Sequence, residues 1–241
     1  MALSLGRRRR DTRDRQVRLR RPVISVGNIS LGGTGKTPVT ALIARWLIEA
    51  GERPAVLSRG YGRAMVEHGV VVVSDGRHLL ADLDRAGDEP LMLAREAPGA
   101  RVLVCEQRAL AGALAERALD ATVHVLDDGF QHLQLARDID LVVTNAQDLA
   151  GRPLPFGRLR EPVSALQAAD AVIFDGDPPN ASYFTLRRTL GAPSVVGCGV
   201  LSAECRVPGA ECQVPSAECR VGKCVALAGI ARPEQIGRAH V

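Results

Sequence analysis

Lysine is almost missing from this chain of 241 residues: Lys36 and Lys223 are the only two, and arginine supplies every other basic residue. Aromatic residues make up only 3% of the sequence, which argues against a surface that stacks the bases of single-stranded nucleic acid. No apolar run approaches the roughly 18 residues that a membrane-spanning helix needs. Four of the six cysteines recur in a heptapeptide repeat that lacks the spacing of a zinc site. We therefore expect neither a nucleic-acid partner nor a membrane span.

The positive charge is concentrated at the N terminus. Residues 1–21 contain nine arginines and two aspartates, whereas the whole chain has a net charge of only +4, so the remainder is net negative. Two interpretations of this arm are open, a solvated disordered segment or a segment that docks on an anionic membrane face or on nucleic acid. The opening MALSLG is too short for the apolar region of a signal peptide. We expect a cytosolic protein whose membrane contact, if it has any, is peripheral.

Lys36 stands at the end of a glycine-rich turn, between a predicted strand and a predicted helix. The strand is the apolar, β-branched run at residues 23–29, which is typical of a buried parallel strand. The helix begins at Thr37 and ends at Gly51. Apolar residues recur in it at helical spacing. The residues predicted to form its apolar face are Val39, Leu42, Ile43, Trp46 and Leu47.

The turn has the composition of a loop that binds a nucleoside triphosphate. Its three glycines allow positive φ, which turns backbone N–H groups toward an anion, and the helix N terminus adds partial positive charge. The compact ammonium of Lys36 suits the β- and γ-phosphates, and the Thr37 hydroxyl suits Mg²⁺. Ser30 replaces the first glycine of the usual motif. The predicted nucleotide-binding residues are Ser30, Leu31, Gly32, Gly33, Thr34, Gly35, Lys36 and Thr37.

A second acidic motif completes this prediction. The apolar run Thr122–Leu126 is followed directly by Asp127, Asp128 and a glycine. On its own this sequence favours an ordinary turn. Combined with a phosphate-binding loop, it favours two carboxylates that hold Mg²⁺ opposite Thr37. The predicted metal ligands are Thr37, Asp127 and Asp128.

Three further motifs contain polar residues that allow two interpretations each. Asp88 and Glu89 follow a glycine at the start of a predicted helix, where they complement the helix dipole or where Asp88 accepts a proton from an acceptor hydroxyl. His132 lies in DDGFQH, close to the expected metal site, and a lone histidine is more often structural. Arg160 and Glu161 either bind phosphate and order the metal shell or pair with each other on a surface.

Short apolar strands alternate with helical segments, which predicts an α/β fold of the P-loop NTPase type. The expected sheet is mostly parallel, with helices on both faces. We divide the chain into a basic arm (1–21), a P-loop kinase core (22–174) and a region at 175–241 that holds the cysteine repeat and the start of a second, smaller lobe. The other predicted strands are Pro54–Ser58, Val70–Ser74, Arg101–Cys105, Ile139–Thr144, Asp170–Phe174 and Val225–Ile230. A loop that enters a helix is predicted at Ala86–Ala97. Two more helices are predicted at Ala109–Ala118 and Val163–Ala168.

Five motifs, in this order and at this spacing, resemble the tetraacyldisaccharide 4′-kinase family: GNISLGGTGKTP, SRGYG, GDEP, DDGFQH and LREP. The resemblance covers roughly residues 22–173 and returns at ALAGIARPE, residues 226–234. It implies ATP-dependent, Mg²⁺-dependent phosphorylation of the 4′-hydroxyl of a tetraacyldisaccharide 1-phosphate, a lipid A precursor. It also implies a peripheral enzyme on the cytoplasmic side of the inner membrane, acting on a glycolipid. It does not indicate an oligomeric state.

The resemblance further implies a role for each matching residue. Lys36 stabilises the transferring phosphoryl group, Asp88 is the candidate base, and Asp128 acts with Asp127 and Thr37 on Mg²⁺. The residues implied to form the surrounding shell are Gln131, His132, Arg160 and Glu161. Because the family's second lobe is incomplete in this sequence, we expect a C-terminally truncated kinase.

Two rival functions are consistent with a phosphate-binding loop. The first is a P-loop GTPase or a metallochaperone-type NTPase, which a guanine-specifying N/T-K-x-D motif would support; neither lysine lies in such a motif. The second is a fragment of the kinase that binds ATP without catalysing transfer, which the short second lobe favours.

Overall fold

The structure is a computed structural model that describes residues 16–61, 63–64 and 69–187. The strands are β1 (Val23–Gly27), β2 (Pro54–Ser58), β3 (Val71–Asp75), β4 (Arg101–Val104), β5 (Val123–Asp127), β6 (Ile139–Thr144), β7 (Ala171–Asp175) and β8 (Phe184–Leu186). The helices are α1 (Lys36–Glu49), α2 (Leu83–Ala86), α3 (Asp88–Glu96), α4 (Arg108–Ala118) and α5 (Ala146–Leu149), followed by a 3₁₀ helix at Val163–Ala168.

The eight strands form one sheet in the order β3-β4-β2-β5-β1-β6-β7-β8. Every neighbouring pair is parallel except β3 and β4, which are antiparallel. The predicted α/β fold with a mostly parallel sheet is therefore confirmed. β5 lies directly beside β1, with Val26 opposite Asp127. This pairing brings the loops that follow the two strands to the same edge of the sheet.

Helices cover both faces of the sheet, because alternate strand residues point to opposite sides. On one face, Val56 belongs to a core cluster that includes Val39 of α1 and Leu93 of α3. On the other face, its neighbour Leu57 belongs to a cluster that includes Ala111 of α4. Both clusters are fully buried, as the continuous apolar runs of the central strands require.

The predicted strands agree closely with the structure, and two of them, Pro54–Ser58 and Ile139–Thr144, match at both ends. The sequence predicted neither α5 nor β8, since both are short and lie in polar surroundings. The predicted strand Val225–Ile230 and the cysteine repeat lie outside the described residues. Among the described residues, no helix combines the length and apolar character needed to cross a bilayer.

Three local predictions were wrong. Trp46 was placed on the apolar face of α1, yet 58% of it is exposed, because the sheet contacts mainly the narrower stripe around Ala41 and Ala44. The strand β1 ends at Gly27 instead of residue 29, because the chain turns there into the glycine-rich loop. All three glycines of the loop were expected to allow positive φ, but only Gly32 and Gly35 adopt it, and Gly33 does not.

The last residues of the basic arm belong to the folded core. Val17 exchanges backbone hydrogen bonds with the chain around Leu135, from Val17 N to Gln134 O and from Ala136 N to Val17 O, each 2.9 Å long. Leu19 packs against the cluster beneath α4. Residues 16–21 are thus attached to the domain, whereas residues 1–15 lie outside the described part of the chain.

Candidate active site

The glycine-rich loop connects β1 to α1 and surrounds the start of that helix. Gly32 has φ +100° and Gly35 has φ +82°, a conformation that side chains with a Cβ rarely adopt. Gly35 is the N-cap of α1 and has no side chain to cap the helix. The first N–H groups of α1 are therefore free to bind an anion, with the helix dipole favouring negative charge.

A buried amide braces this loop from inside. The Asn28 side-chain nitrogen donates to Thr34 Oγ1 at 2.8 Å and to Ser30 Oγ at 3.3 Å, and all three residues are buried. Ser30 does not have positive φ. This position therefore needs no glycine, and the serine hydroxyl instead supplies an acceptor to Asn28. The departure from the usual motif is accounted for by this hydrogen bond.

Lys36 and Asp128 meet across the site. Lys36 Nζ lies 3.4 Å from Asp128 Oδ1, and Arg160 Nη1 donates to Asp128 Oδ2 at 2.9 Å. Burial disfavours the charge on Asp128, but the Lys36 ammonium and the Arg160 guanidinium outweigh it, and the pKa of this carboxyl is lowered. Asp128 is ionised at neutral pH, and it is held in a left-handed conformation with φ +50°.

Asp127 points into the protein, toward α1. Its Oδ1 accepts a hydrogen bond of 3.2 Å from Thr40 Oγ1, one helical turn beyond the predicted ligand Thr37. Burial, together with the nearby carboxylates of Glu89 and Asp128, raises the pKa of Asp127 to about 6. The structure thus brings Asp127 to α1 with Thr40 as its hydrogen-bonding partner, whereas the sequence prediction set the acidic pair opposite Thr37.

The acidic groups around Lys36 suit a divalent cation. The carboxylates of Glu89, Asp127 and Asp128 repel one another, and a bound Mg²⁺ would relieve this repulsion. Within the described ranges, no three His, Cys, Asp or Glu side chains are arranged to hold a metal by themselves. Mg²⁺ typically takes one or two carboxylates and completes its shell with phosphate oxygens and water.

Gln131 connects the segment that contains Arg160 and Glu161 to the start of the glycine-rich loop. Its Nε2 donates to Asn28 O at 2.7 Å and to Glu161 Oε1 at 3.1 Å, while its Oε1 accepts from Arg160 Nη1 at 3.3 Å. Arg160 N also donates to Ile29 O at 2.7 Å. Three of the four residues predicted as a supporting shell therefore lie in one hydrogen-bonded network with Asp128.

His132 has different neighbours. Burial first, and then the positive charges of Arg108 and Arg137, lower the pKa of His132 to about 4. The imidazole is neutral at pH 7, and the hydrogen bonds that join Asp128, Gln131 and Glu161 do not include it.

Asp88 begins α3 and lines a groove of about 510 Å³ with Tyr61, Leu83 and Glu89. Asp88 Oδ1 accepts a hydrogen bond of 2.9 Å from Glu89 N, which is the local pattern of a charge at a helix N terminus. Asp88 is also exposed to the groove. Both interpretations of Asp88 are compatible with this position.

The fold brings to the site several residues to which no sequence motif assigned a role there. Arg108 is 4% exposed and donates from Nη2 to Asp127 O at 3.2 Å. Burial raises the pKa of Glu89, against the opposing charge of Lys36. An arginine that opens an otherwise Ala/Leu-rich helix was a usable sequence signal for Arg108. Thr40 and Asn28 carried no such signal, because both look like ordinary polar residues beside an apolar run.

Comparison with known proteins decides the family. The family model described as Tetraacyldisaccharide-1-P 4′-kinase matches residues 1–239 of the chain. The chain belongs to this family. Family membership does not favour the rival interpretation as a GTPase or metallochaperone-type NTPase.

Curated members of the tetraacyldisaccharide 4′-kinase family are close in sequence. The protein of that name from Pelobacter propionicus is 47% identical over 193 residues, which is 76% of this chain and 53% of the relative. That from Chlorobium phaeovibrioides is 40% identical over 234 residues, which is 89% of this chain and 62% of the relative. The chain thus spans about half the length of the curated kinases it matches.

A solved structure of the same family shares the fold. The apo form of LpxK from Aquifex aeolicus, in complex with ATP, superposes with a TM-score of 0.68 at 36% identity. The match covers 75% of this chain and 59% of that chain. The P-loop kinase-like α/β architecture is therefore common to both proteins.

Proposed function

We propose that this chain carries the phosphoryl-transfer site of a tetraacyldisaccharide 4′-kinase. The reaction moves the γ-phosphoryl group of ATP to the 4′-hydroxyl of a tetraacyldisaccharide 1-phosphate, a lipid A precursor. The observation that carries the proposal is the approach of Lys36, at the mouth of α1, to Asp128, at the end of the adjacent strand, with 3.4 Å between Nζ and Oδ1. Family membership supports the substrate class, and the ATP complex of the Aquifex relative supports the nucleotide.

The glycine-rich loop, residues 30–37, holds the triphosphate in this proposal. Backbone N–H groups at the start of α1 contact the phosphate oxygens, and Lys36 neutralises charge on the group in transfer. Arg160 and Gln131 keep Asp128 in place beside Lys36. Because phosphoryl transfer depends mainly on positioning and charge stabilisation, this preorganised network is the principal contribution of the protein.

Thr37, Asp127 and Asp128 hold Mg²⁺, directly or through water. The ion supplies charge neutralisation at the β- and γ-phosphate oxygens when bound. The pKa of about 6 leaves a minor protonated fraction of the fully buried Asp127 at neutral pH, and positive charge next to it would lower this pKa and complete its ionisation. Thr40 donates a hydrogen bond to the Asp127 carboxylate, and Arg108 donates one to the Asp127 backbone carbonyl. Together these two bonds orient Asp127.

Asp88 faces the acceptor. The groove beside it is also lined by Glu89, whose carboxyl interacts electrostatically with Lys36 and Asp128, so a sugar hydroxyl bound there would be close to the nucleotide site. In the transfer, the 4′-oxygen bonds to phosphorus, the bond to the β-phosphate oxygen breaks, the hydroxyl proton passes to Asp88, and ADP leaves. We infer that the enzyme acts as a peripheral protein on the cytoplasmic side of the inner membrane, since an acylated acceptor is held in a membrane and ATP is supplied from the cytoplasm.

A transfer assay tests the proposal. Radiolabelled ATP and detergent-dispersed acceptor are incubated with the wild-type chain, with Lys36→Ala and with Lys223→Ala, and the lipid product is separated by thin-layer chromatography. We expect labelled lipid from the wild type and from Lys223→Ala, which removes the other lysine. Lys36→Ala should raise the barrier by about 3 kcal/mol or more, which is more than a hundredfold in rate.

The same assay separates the alternatives. Hydrolysis of ATP without lipid labelling indicates an NTPase and refutes the kinase. ATP binding without hydrolysis or transfer, measured by equilibrium dialysis, identifies a non-catalytic fragment. Unchanged turnover in Lys36→Ala removes the basis of the proposal.

A further inference from the structure

An exposed apolar loop stands next to the glycine-rich loop and has no role in the site described above. We name residues 152–159 the Phe156 loop. It folds back on itself through hydrogen bonds from Leu154 N to Leu159 O (2.9 Å) and from Leu159 N to Arg152 O (3.0 Å). Phe156, near its tip, is 85% exposed, and Leu154 is 52% exposed. Large apolar side chains grouped in this way mark an interaction surface.

The Phe156 loop is attached directly to the nucleotide site. Leu31 N donates to Arg158 O at 2.8 Å, and Arg158 Nη2 donates back to Leu31 O at 2.9 Å. Ser30 and Leu159 form an isolated antiparallel bridge. A partner that binds at Phe156 would therefore be held close to the phosphate-binding loop.

The charges of the loop identify its partner. Residues 150–160 contain three arginines and no acidic residue. Arg152 and Arg158 flank Phe156 and are both exposed. An exposed aromatic residue between two arginines complements a bilayer with anionic headgroups, because the ring enters the interface while the guanidinium groups reach phosphate oxygens.

We propose that the Phe156 loop is a membrane-contact element. Phe156 and Leu154 enter the interfacial layer of an anionic bilayer, and Arg152 and Arg158 bind its headgroups. The choice of a bilayer over a second copy of the chain rests on the loop's charge and on the proposed function, since an acylated acceptor is held in a membrane. The contact places the glycine-rich loop and the acceptor groove close to the lipid surface.

Tryptophan fluorescence tests the contact. The chain has one tryptophan, and it is exposed on α1, so Trp46→Phe provides a dark background. In this background Phe156→Trp reports the loop, and Phe184→Trp, at a phenylalanine that is 66% exposed on the edge strand β8, serves as the matched control. Vesicles are either phosphatidylcholine alone or phosphatidylcholine with phosphatidylglycerol.

We expect a blue shift of the Phe156→Trp emission on the anionic vesicles, with quenching by brominated lipid, and no shift for Phe184→Trp. Phe156→Ser in the wild-type chain should weaken sedimentation with anionic vesicles by about tenfold, since an aromatic ring is no longer buried. Chain that sediments with vesicles while the Phe156→Trp emission stays unshifted overturns the proposal and leaves the N-terminal arginines as the contact. A blue shift that depends on protein concentration without vesicles assigns the loop to a second copy instead.

The transfer assay keeps the two proposals apart. With detergent-dispersed acceptor, Phe156→Ser should label lipid at the wild-type rate, whereas with acceptor embedded in anionic vesicles it should be slower. If the wild type transfers no phosphoryl group but the fluorescence shift remains, the proposed function fails and the membrane contact stands. If transfer occurs and the shift is missing, only the membrane contact fails.

Discussion

Gly27 and Phe130 are packed backbone to backbone at the carboxyl edge of the sheet. A Cβ at Gly27 would lie 2.7 Å from Phe130 N, closer than real Cβ atoms come to another atom, and 3.1 Å from Phe130 Cα, which is also a tight contact. Phe130 is fully buried, two residues after Asp128. The absence of a side chain at Gly27 therefore lets the acidic loop lie against the end of β1.

Gly27→Ala tests this packing. We expect a loss of about 1–3 kcal/mol in the free energy of unfolding, because backbone must move to admit the methyl group, together with weaker nucleotide binding. Chemical denaturation and ATP titration measure the two effects. Gly112→Ala is the contrast, since the atoms nearest to its Cβ belong to the side chain of Leu19, which can move more easily than backbone, and alanine favours a helix. Equal losses in both variants would contradict the backbone contact.

Asp128→Asn tests the pairing with Lys36. The variant removes the negative charge but keeps the shape, so Lys36 becomes freer to contact phosphate while Mg²⁺ loses a ligand. We expect ATP affinity in the presence of EDTA to rise by about tenfold, and the gain in affinity on adding Mg²⁺ to shrink. Isothermal titration with and without Mg²⁺ measures both. If metal-free affinity falls, Asp128 does not compete with phosphate for Lys36.

Thr40→Val tests the orientation of Asp127. The substitution removes the hydroxyl that donates to the buried carboxylate, at a cost of about 1–3 kcal/mol in stability for a polar group left unpaired. Because Thr40 is one turn beyond Thr37, we also expect a higher Mg²⁺ concentration for half-maximal turnover. Thr40→Ser retains the hydroxyl and should restore both quantities. If Thr40→Ser behaves like Thr40→Val, the effect comes from packing and not from the hydrogen bond.

His124 makes stability depend on pH. It is fully buried, with Nε2 at 3.1 Å from Glu116 Oε1, and burial lowers its pKa in spite of that carboxylate. The unfolded chain binds a proton at His124 near pH 6.5, whereas the folded chain resists it, so the free energy of unfolding falls as the pH drops below about 6.5. His124→Gln should flatten this dependence between pH 7.5 and 5.5.

Urea denaturation across that pH range measures the effect. His78→Gln is the control for the loss of an imidazole, because His78 is exposed and pairs with Asp75 at the surface. Identical pH profiles for the wild type and His124→Gln would show that other groups cause the acid sensitivity.

Much of the fold was predictable because its causes are local. The strand, glycine turn and helix around Lys36 follow from β-branched residues, positive φ and helical spacing within one short segment. Trp46 shows where this reasoning fails. Its spacing places it on the apolar side of α1, but the width of the buried stripe depends on how the helix meets the sheet, which no local pattern contains.

The residues of the site likewise fall into two groups, those that a local motif identifies and those whose role depends on the tertiary structure. Lys36, Thr37, Asp127 and Asp128 were identifiable because each belongs to a short motif with a chemical purpose. The adjacency of β5 and β1, which brings Asp128 to Lys36, depends on strand order. Thr40 and Arg108 were missed because their contacts with Asp127 depend on the tertiary structure. Asn28 was missed because it looks like an ordinary polar residue beside an apolar run.

The sequence alone thus determined the phosphate-binding loop, the acidic pair and the alternation of strands and helices, since neighbouring residues control backbone conformation and charge. Only the tertiary structure decided that Asp128 faces Lys36 while Asp127 turns to Thr40. Consecutive residues at the end of a strand point in different directions, and which partner each one meets is set by the elements packed against that edge of the sheet.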